Sequence, residues 1–192
     1  MPNPRLATVI AAAAVLAPLG ACAKGDDGGD APAASTQDAN RTLAAAIGGA
    51  PGLTTVSTAL SEAGLADVFD GPGSYTVLAP DDDAFAKLGQ GSDSLTDPAH
   101  RAELVAILRG HILPGHLTPD AIRKAIADKK GPVTMRNLAD GTVTFSANGD
   151  TITATGSDGA KATVDGDALI ASNGVVLPLD GLVKSAAPEK AS

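Results

Sequence analysis

Tryptophan is missing from this chain altogether, and its 192 residues include one tyrosine and three phenylalanines. Sites that stack nucleobases or sugar rings depend on such aromatic faces, so that chemistry has almost nothing to build on here. Apolar residues reach 44%, but Ala supplies much of that total, and the bulk of any core has to come from Leu, Val and Ile. A cationic surplus is also lacking: 14 Lys and Arg stand against 22 Asp and Glu, for a net charge of −8. A nucleic-acid binder needs a cationic footprint to replace condensed counterions. No nucleic-acid partner is expected, and the charge reads as solubility and self-repulsion. Signatures of catalysis are absent as well. The chain has no G-x-S-x-G elbow, no Gly-rich phosphate loop before a helix and no H-E-x-x-H. The expectation is a protein that is not an enzyme and uses no cofactor or metal.

Cysteine occurs once, and its position is informative. Arg5 precedes an apolar run over residues 6–17, and Leu19-Gly20-Ala21-Cys22 closes it with small residues. This is the three-part plan of a secretory signal, and the run is too short for a membrane span, which needs roughly 20 residues. Leu-Gly-Ala-Cys looks like the lipobox of bacterial lipoproteins, in which the cysteine is acylated and becomes the new N-terminus. A lone cysteine in an exported chain has no internal disulfide partner. Residues 1–21 are therefore expected to be a signal peptide and Cys22 a lipidation site. Ala23 after the cysteine, rather than Asp, implies the outer membrane in a Gram-negative host.

Residues 22–40 carry Gly25, Gly28, Gly29, Pro32 and the acids Asp26, Asp27, Asp30 and Asp38, with no aliphatic side chain larger than Ala. Such a segment buries too little apolar surface to offset its ordering. It is expected to be a tether reaching roughly 25 Å. Asn40-Arg41-Thr42 fits a glycosylation sequon, read here as chance.

The folded domain is expected over residues 41–185, followed by a polar tail at 186–192. Its first half has helical periodicity: residues 42–47, then 53–63 with Leu53, Val56 and Leu60 on one stripe and Gly64 as the stop. Leu65, Val68 and Phe69 make one more turn. Residues 75–88 pass from an alternating strand, through Pro80, into a helix that Asp81 caps and along which Phe85 and Leu88 share a face. Asp97 and Pro98 open a helix running to Arg109, with Leu104, Ile107 and Leu108 facing inward. Thr118-Pro119-Asp120 opens the last, which packs Ile122 and Ile126. From Val133 the period changes to two, over 133–137, 142–148, 151–155, 160–164 and 168–172. Asp140-Gly141, Asn148-Gly149, Asp158-Gly159 and Asp165-Gly166 read as hairpins and turns. Helices first and strands later argue an α+β fold with a largely antiparallel sheet.

Three segments then resemble the fasciclin domain. They are LTTVSTALSEAGLADVF with YTVLAPDDDAFAKL; LVAILRGHILPGHLT; and DALIASNGVVLPLDGLV, in the family's order. The resemblance covers about residues 42–184. It implies a single α+β domain in which a twisted sheet packs against several short helices. It further implies an extracytoplasmic adhesion or protein-interaction module with an envelope or cell-surface protein as partner. The alternative is a carrier of an apolar small molecule, a lipid or carotenoid. Pro80, Asp81, Phe85, His111, Asn173, Gly174 and Asp180 lie on the motifs. Many members carry Tyr just before the central His, a pair linked with adhesion in animal members. Here that position is Gly110, and adhesion through a Tyr-His pair is not carried over.

Among single residues, His111 is the candidate for a general base or metal ligand. No Cys or second His stands at ligand spacing, and the structural reading, a core histidine joining two segments, takes precedence. With Ile112 and Leu113 it is the candidate binding segment. Asp81-Asp82-Asp83 lacks the alternating pattern of a calcium loop and reads as capping. On this reading Asp82→Asn is nearly silent, whereas Phe85→Ala costs about 3–5 kcal/mol if the ring is core.

Overall fold

The computed structural model describes residues 40–87 and 98–184. Cys22 with its leader and tether, Leu88, the Asp97 cap and the polar tail lie outside the described residues. Within them the helical half comes first: α1 (Leu43–Gly48), α2 (Thr54–Glu62), α3 (Ala66–Asp70), strand β1 (Tyr75–Pro80), α4 (Asp82–Ala86), α5 (Arg101–Gly110), β2 (Ile112–Pro114) and α6 (Pro119–Lys129). Strands β3 (Val133–Arg136), β4 (Thr142–Asn148), β5 (Thr151–Gly156), β6 (Lys161–Thr163), β7 (Leu169–Ala171) and β8 (Gly174–Leu179) follow. The fold is α+β, and most strand pairs are antiparallel.

Local chemistry sets the element ends. Thr42 caps α1 by accepting from Ala45 N at 3.3 Å, and Thr118 caps α6 by accepting from Ala121 N at 3.2 Å, ahead of Pro119 in the first turn. Both leave fewer orphan donors at a helix start. Pro98–His100 forms a 3₁₀ turn, so the α-helix proper starts at Arg101 rather than Pro98. Lys130 ends α6 in the left-handed region at φ 54°.

The strands form two four-stranded sheets rather than one, in the orders β2-β1-β8-β7 and β3-β4-β5-β6. The second is a meander whose turns are the expected Gly hairpins. In the first, β1 and β8 run parallel, Tyr75 opposite Gly174 through Pro80 opposite Leu179. Parallel partners need a long crossover, and here nearly the whole domain is that crossover. Asp165-Gly166 is therefore no hairpin. It carries the chain from the second sheet back to the first.

Burial explains why β1 and β8 are apolar runs. Val77, Ala79, Ile112 and Val176 face a core shared with Leu43, Ile47, Val56, Leu60, Phe69 and Phe85 from the helices. Leu78, Leu113, Val175, Leu177 and Leu179 face Val143, Phe145, Ile152 and Ala154 of the second sheet, with Ile122 of α6. The first sheet is thus covered on both sides, and its central strands lose the alternation of a half-exposed strand. Phe85, 6% exposed, belongs to the helical core.

Candidate functional site

His111 sits where α5 ends and β2 begins, 2% exposed. Its Nδ1–H donates to the carbonyl of Ile107 at 2.9 Å, and its Nε2 accepts from the amide of Val183 at 3.0 Å. That assigns the neutral, Nδ1-protonated tautomer, because a nitrogen cannot accept while it carries a proton. Both nitrogens are engaged within the fold, one along its own helix and one to the end of the domain. Ile112 (1% exposed) turns into the helical core and Leu113 (0%) into the core between the sheets. The three side chains of this segment thus knit two cores together beneath the surface. Gly110, the position before the histidine, is buried against Lys184: a Cβ there would lie 2.8 Å from Lys184 Cδ. The stem of Lys184 occupies the space a side chain would need.

Burial pushes the His111 pKa down to about 4 from its ordinary 6.5. The Ile107 bond and the charge of Asp158 pull it up, and the charge of Lys184 adds to the lowering. As pH falls the unfolded chain takes up this proton first, so the contribution is whole above about pH 6.5 and is lost on the way down to about 4. Urea unfolding should show a loss of roughly 3 kcal/mol between pH 7 and pH 4 from this one group. His111→Gln should lower stability at pH 7 and flatten that decline. An unchanged pH slope in the variant would remove the histidine from the account.

Asn173 does more than turn the chain. Its Oδ1 accepts from Leu43 N at 2.8 Å, and its Nδ2 donates to the carbonyls of Phe69 at 2.6 Å and Gly71 at 3.0 Å. One side chain thus joins the start of α1, the end of α3 and the β7–β8 turn. Gly174 follows because β1 passes directly over it: a Cβ would collide with the Tyr75 carbonyl oxygen and approach Leu43 Cδ1 to 2.6 Å. Asp180, just beyond β8, accepts from Thr163 N through Oδ1 at 2.6 Å, while Lys87 Nζ donates to its carbonyl at 3.0 Å. With the Val164–Leu179 bridge it ties the first sheet to the second. Thr76, buried at 0% exposure, has a role that its place in the strand pattern does not show. Its hydroxyl donates to the Gly115 carbonyl at 2.8 Å and accepts from Leu117 N at 2.9 Å, pinning the loop into α6. A lone threonine in an apolar run was the available signal.

The three aspartates divide their work. Asp81 caps α4, accepting from Ala84 N at 2.5 Å just after Pro80, the last residue of β1. Asp82 belongs to another helix. It accepts from Thr55 N at 2.7 Å and Thr54 N at 3.3 Å, capping α2, whose own N-cap residue Leu53 has no side-chain acceptor. Asp82 thus serves a helix other than its own, which the reading of the cluster as capping at its own helix start did not include. Burial is the largest single influence and raises the carboxyl pKa, but the bonds from Thr55 and Thr54 together outweigh it and the net shift is downward. The contribution is therefore present above the ordinary value of 3.8 and is lost as pH falls through the lowered one. Asp82→Ala should cost on the order of 1 kcal/mol by denaturant unfolding at pH 7, and Asp82→Asn, which keeps one accepting oxygen, should lose less. An alanine variant with unchanged stability would return Asp82 to the solvated surface.

Away from the histidine, the α1–α2 turn, the start of α4 and the β6–β7 crossing enclose a groove of about 650 Å³. Arg41, Ala50, Leu53, Asp165, Asp167 and Pro178 line it. Sequence reasoning missed it, because only the parallel β1–β8 pairing brings these segments together. No group of three or more His, Cys, Asp or Glu able to hold a metal occurs among the described residues.

Comparison with known proteins agrees with this architecture. Residues 51–184 match the fasciclin domain family. The Synechocystis protein sll1483 is 30% identical over 148 residues, 76% of this chain and 74% of that protein. A second Synechocystis protein, sll1735, described as uncharacterized, is 42% identical over 64 residues, 33% of this chain and 47% of that one. Among solved structures, the FAS1 domain pair of the insect cell adhesion molecule Fasciclin I superposes with a TM-score of 0.67 at 13% identity. It covers 77% of this chain, which spans about half (52%) of that one. A matched family over most of the described residues, with the same layered α+β fold beneath it, makes this chain a member of the fasciclin domain family.

Proposed function

We propose that this protein is a non-catalytic interaction module of the cell exterior, held to a membrane by acyl groups on Cys22 and engaging an envelope or cell-surface protein. The observation that carries the reading is the fasciclin match over residues 51–184. The Leu-Gly-Ala-Cys motif after an apolar run supports the anchor, and several acyl chains on one residue suffice for stable attachment where one is marginal. Such an anchor places the domain on the periplasmic or outer face, in the outer membrane of a Gram-negative host. Crosslinking and pull-down on intact cells should recover a protein partner above the yield of an unrelated domain on the same anchor. Equal yields would end the reading. Cys22→Ala should move the protein from the membrane to the soluble fraction.

A second reading, carriage of an apolar small molecule, is favoured by one observation. The groove of about 650 Å³ falls in the range of ligand pockets, roughly 300–1,000 Å³. Protein purified from its native host should then release a lipid or pigment into organic solvent, and a clean extract counts against carriage.

A further inference from the structure

The groove has a chemistry of its own. Ala50, Leu53 and Pro178 give it an apolar floor, and Asp165 and Asp167 stand exposed on its rim. Neither rim carboxylate has a hydrogen-bond or ion-pair partner among the described residues, in contrast to Asp81 deeper in, which caps α4. Among the described residues that line the groove, the cation set against these three acids is Arg41, which lies over Gly49 and donates from Nη2 to the Ala45 carbonyl at 3.0 Å. The rim is also held in place. Asp165 N donates to the Pro178 carbonyl at 3.0 Å, next to the Val164–Leu179 bridge.

From this we infer that the groove seats an Arg or Lys side chain, flanked by apolar residues, on an exposed segment of a protein partner; the inference rests on the interaction-module reading above. A long basic side chain lays its methylene stem along apolar surface while its head stays at a polar edge, which is the distribution of floor and rim. Arg is enriched among the residues that dominate interface energies. Carboxylates fixed by the backbone lose little freedom on pairing. An acidic segment would meet like charge at the rim, and the net charge of −8 works against its approach and in favour of a cationic one.

The test uses the full chain and three synthetic probes, acetyl-Leu-Arg-Leu-amide and its Gln and Glu counterparts, followed by amide shifts at Gly52 and Gly166. The Arg probe should bind at least about threefold tighter than the Gln probe, with the Glu probe weakest, and about 0.5 M salt should shrink the difference. Asp165→Asn with Asp167→Asn should erase the Arg preference over the Gln probe without lowering thermal stability. Equal affinities, shifts centred elsewhere, or a preference that survives the double substitution would overturn the groove as the seat. Undiminished capture of a cellular partner by the double variant would also overturn it, yet leave the interaction-module reading standing.

Discussion

Gly174→Val should abolish the folded domain. The requirement is spatial. Gly174 starts β8 directly opposite Tyr75 in the parallel ladder, with the Tyr75 carbonyl on one side and Leu43 of α1 on another. A single Cβ already collides with backbone there, and valine adds two methyl groups. A side-chain rotation cannot relieve a clash with a carbonyl oxygen, so β1 and β8 must separate at the end where Asn173 joins the helices. Overpacking a well-packed core by side-chain and small backbone shifts costs about 1–3 kcal/mol. Displacing a central parallel pair should exceed about 5 kcal/mol, comparable with the whole stability of a small domain. Circular dichroism and denaturant unfolding check this. Gly131→Ala is the control, since a Cβ there meets nothing within 4 Å, and it should stay within about 0.5 kcal/mol of the parent. A cooperative transition of parental midpoint in Gly174→Val would mean that the β1–β8 register is wrong.

Phe85→Ala should cost about 3–5 kcal/mol, near the top of what one truncation does. The ring is held by a helix of only five residues, α4, and is 6% exposed within the helical core. So short a helix has little stability of its own. It stays because Phe85 enters the core, Asp81 caps its start and Asp82 fastens it to α2. Removing the ring leaves a cavity among Leu, Val and Ile side chains and loosens the point where the α2 cap is presented. Phe85→Leu, which refills much of the space, should lose less than half as much. Urea unfolding of the three proteins at pH 7 decides the order. Equal stability of Phe85→Ala and the parent would place the ring outside the core.

Some of this could be read from the chain directly. The change of period near Val133, the Gly turns between the meander strands, and the Thr118-Pro119 and Asp81 caps are local features. Each is set by residues within a few positions of one another, so pattern alone reports them. The three family segments were legible for the same reason, and the fasciclin assignment follows from them in order. Other features were not legible. Asp82 looks like a first-turn acid of its own helix, and nothing nearby says that its oxygens serve Thr54 and Thr55. Asn173 looks like a turn residue, although its side chain reaches Leu43 and Phe69. Two sheets were not distinguishable from one, because the pairing of β1 with β8 joins segments about a hundred residues apart.

The sequence by itself thus determined the order and kind of the elements, the fasciclin membership and the absence of any familiar catalytic motif. These depend on short-range spacing, capping chemistry and the balance of charge and aromatic content. Only the tertiary structure decided which carboxylate caps which helix, that His111 is a neutral bridge between α5 and Val183, and that Asp165 and Asp167 rim a groove with Leu53 and Pro178. Those outcomes depend on where distant backbone donors and acceptors come to rest once both faces of the first sheet are covered. Burial of that sheet selects the parallel register of β1 on β8, and the register then delivers each polar group to its partner.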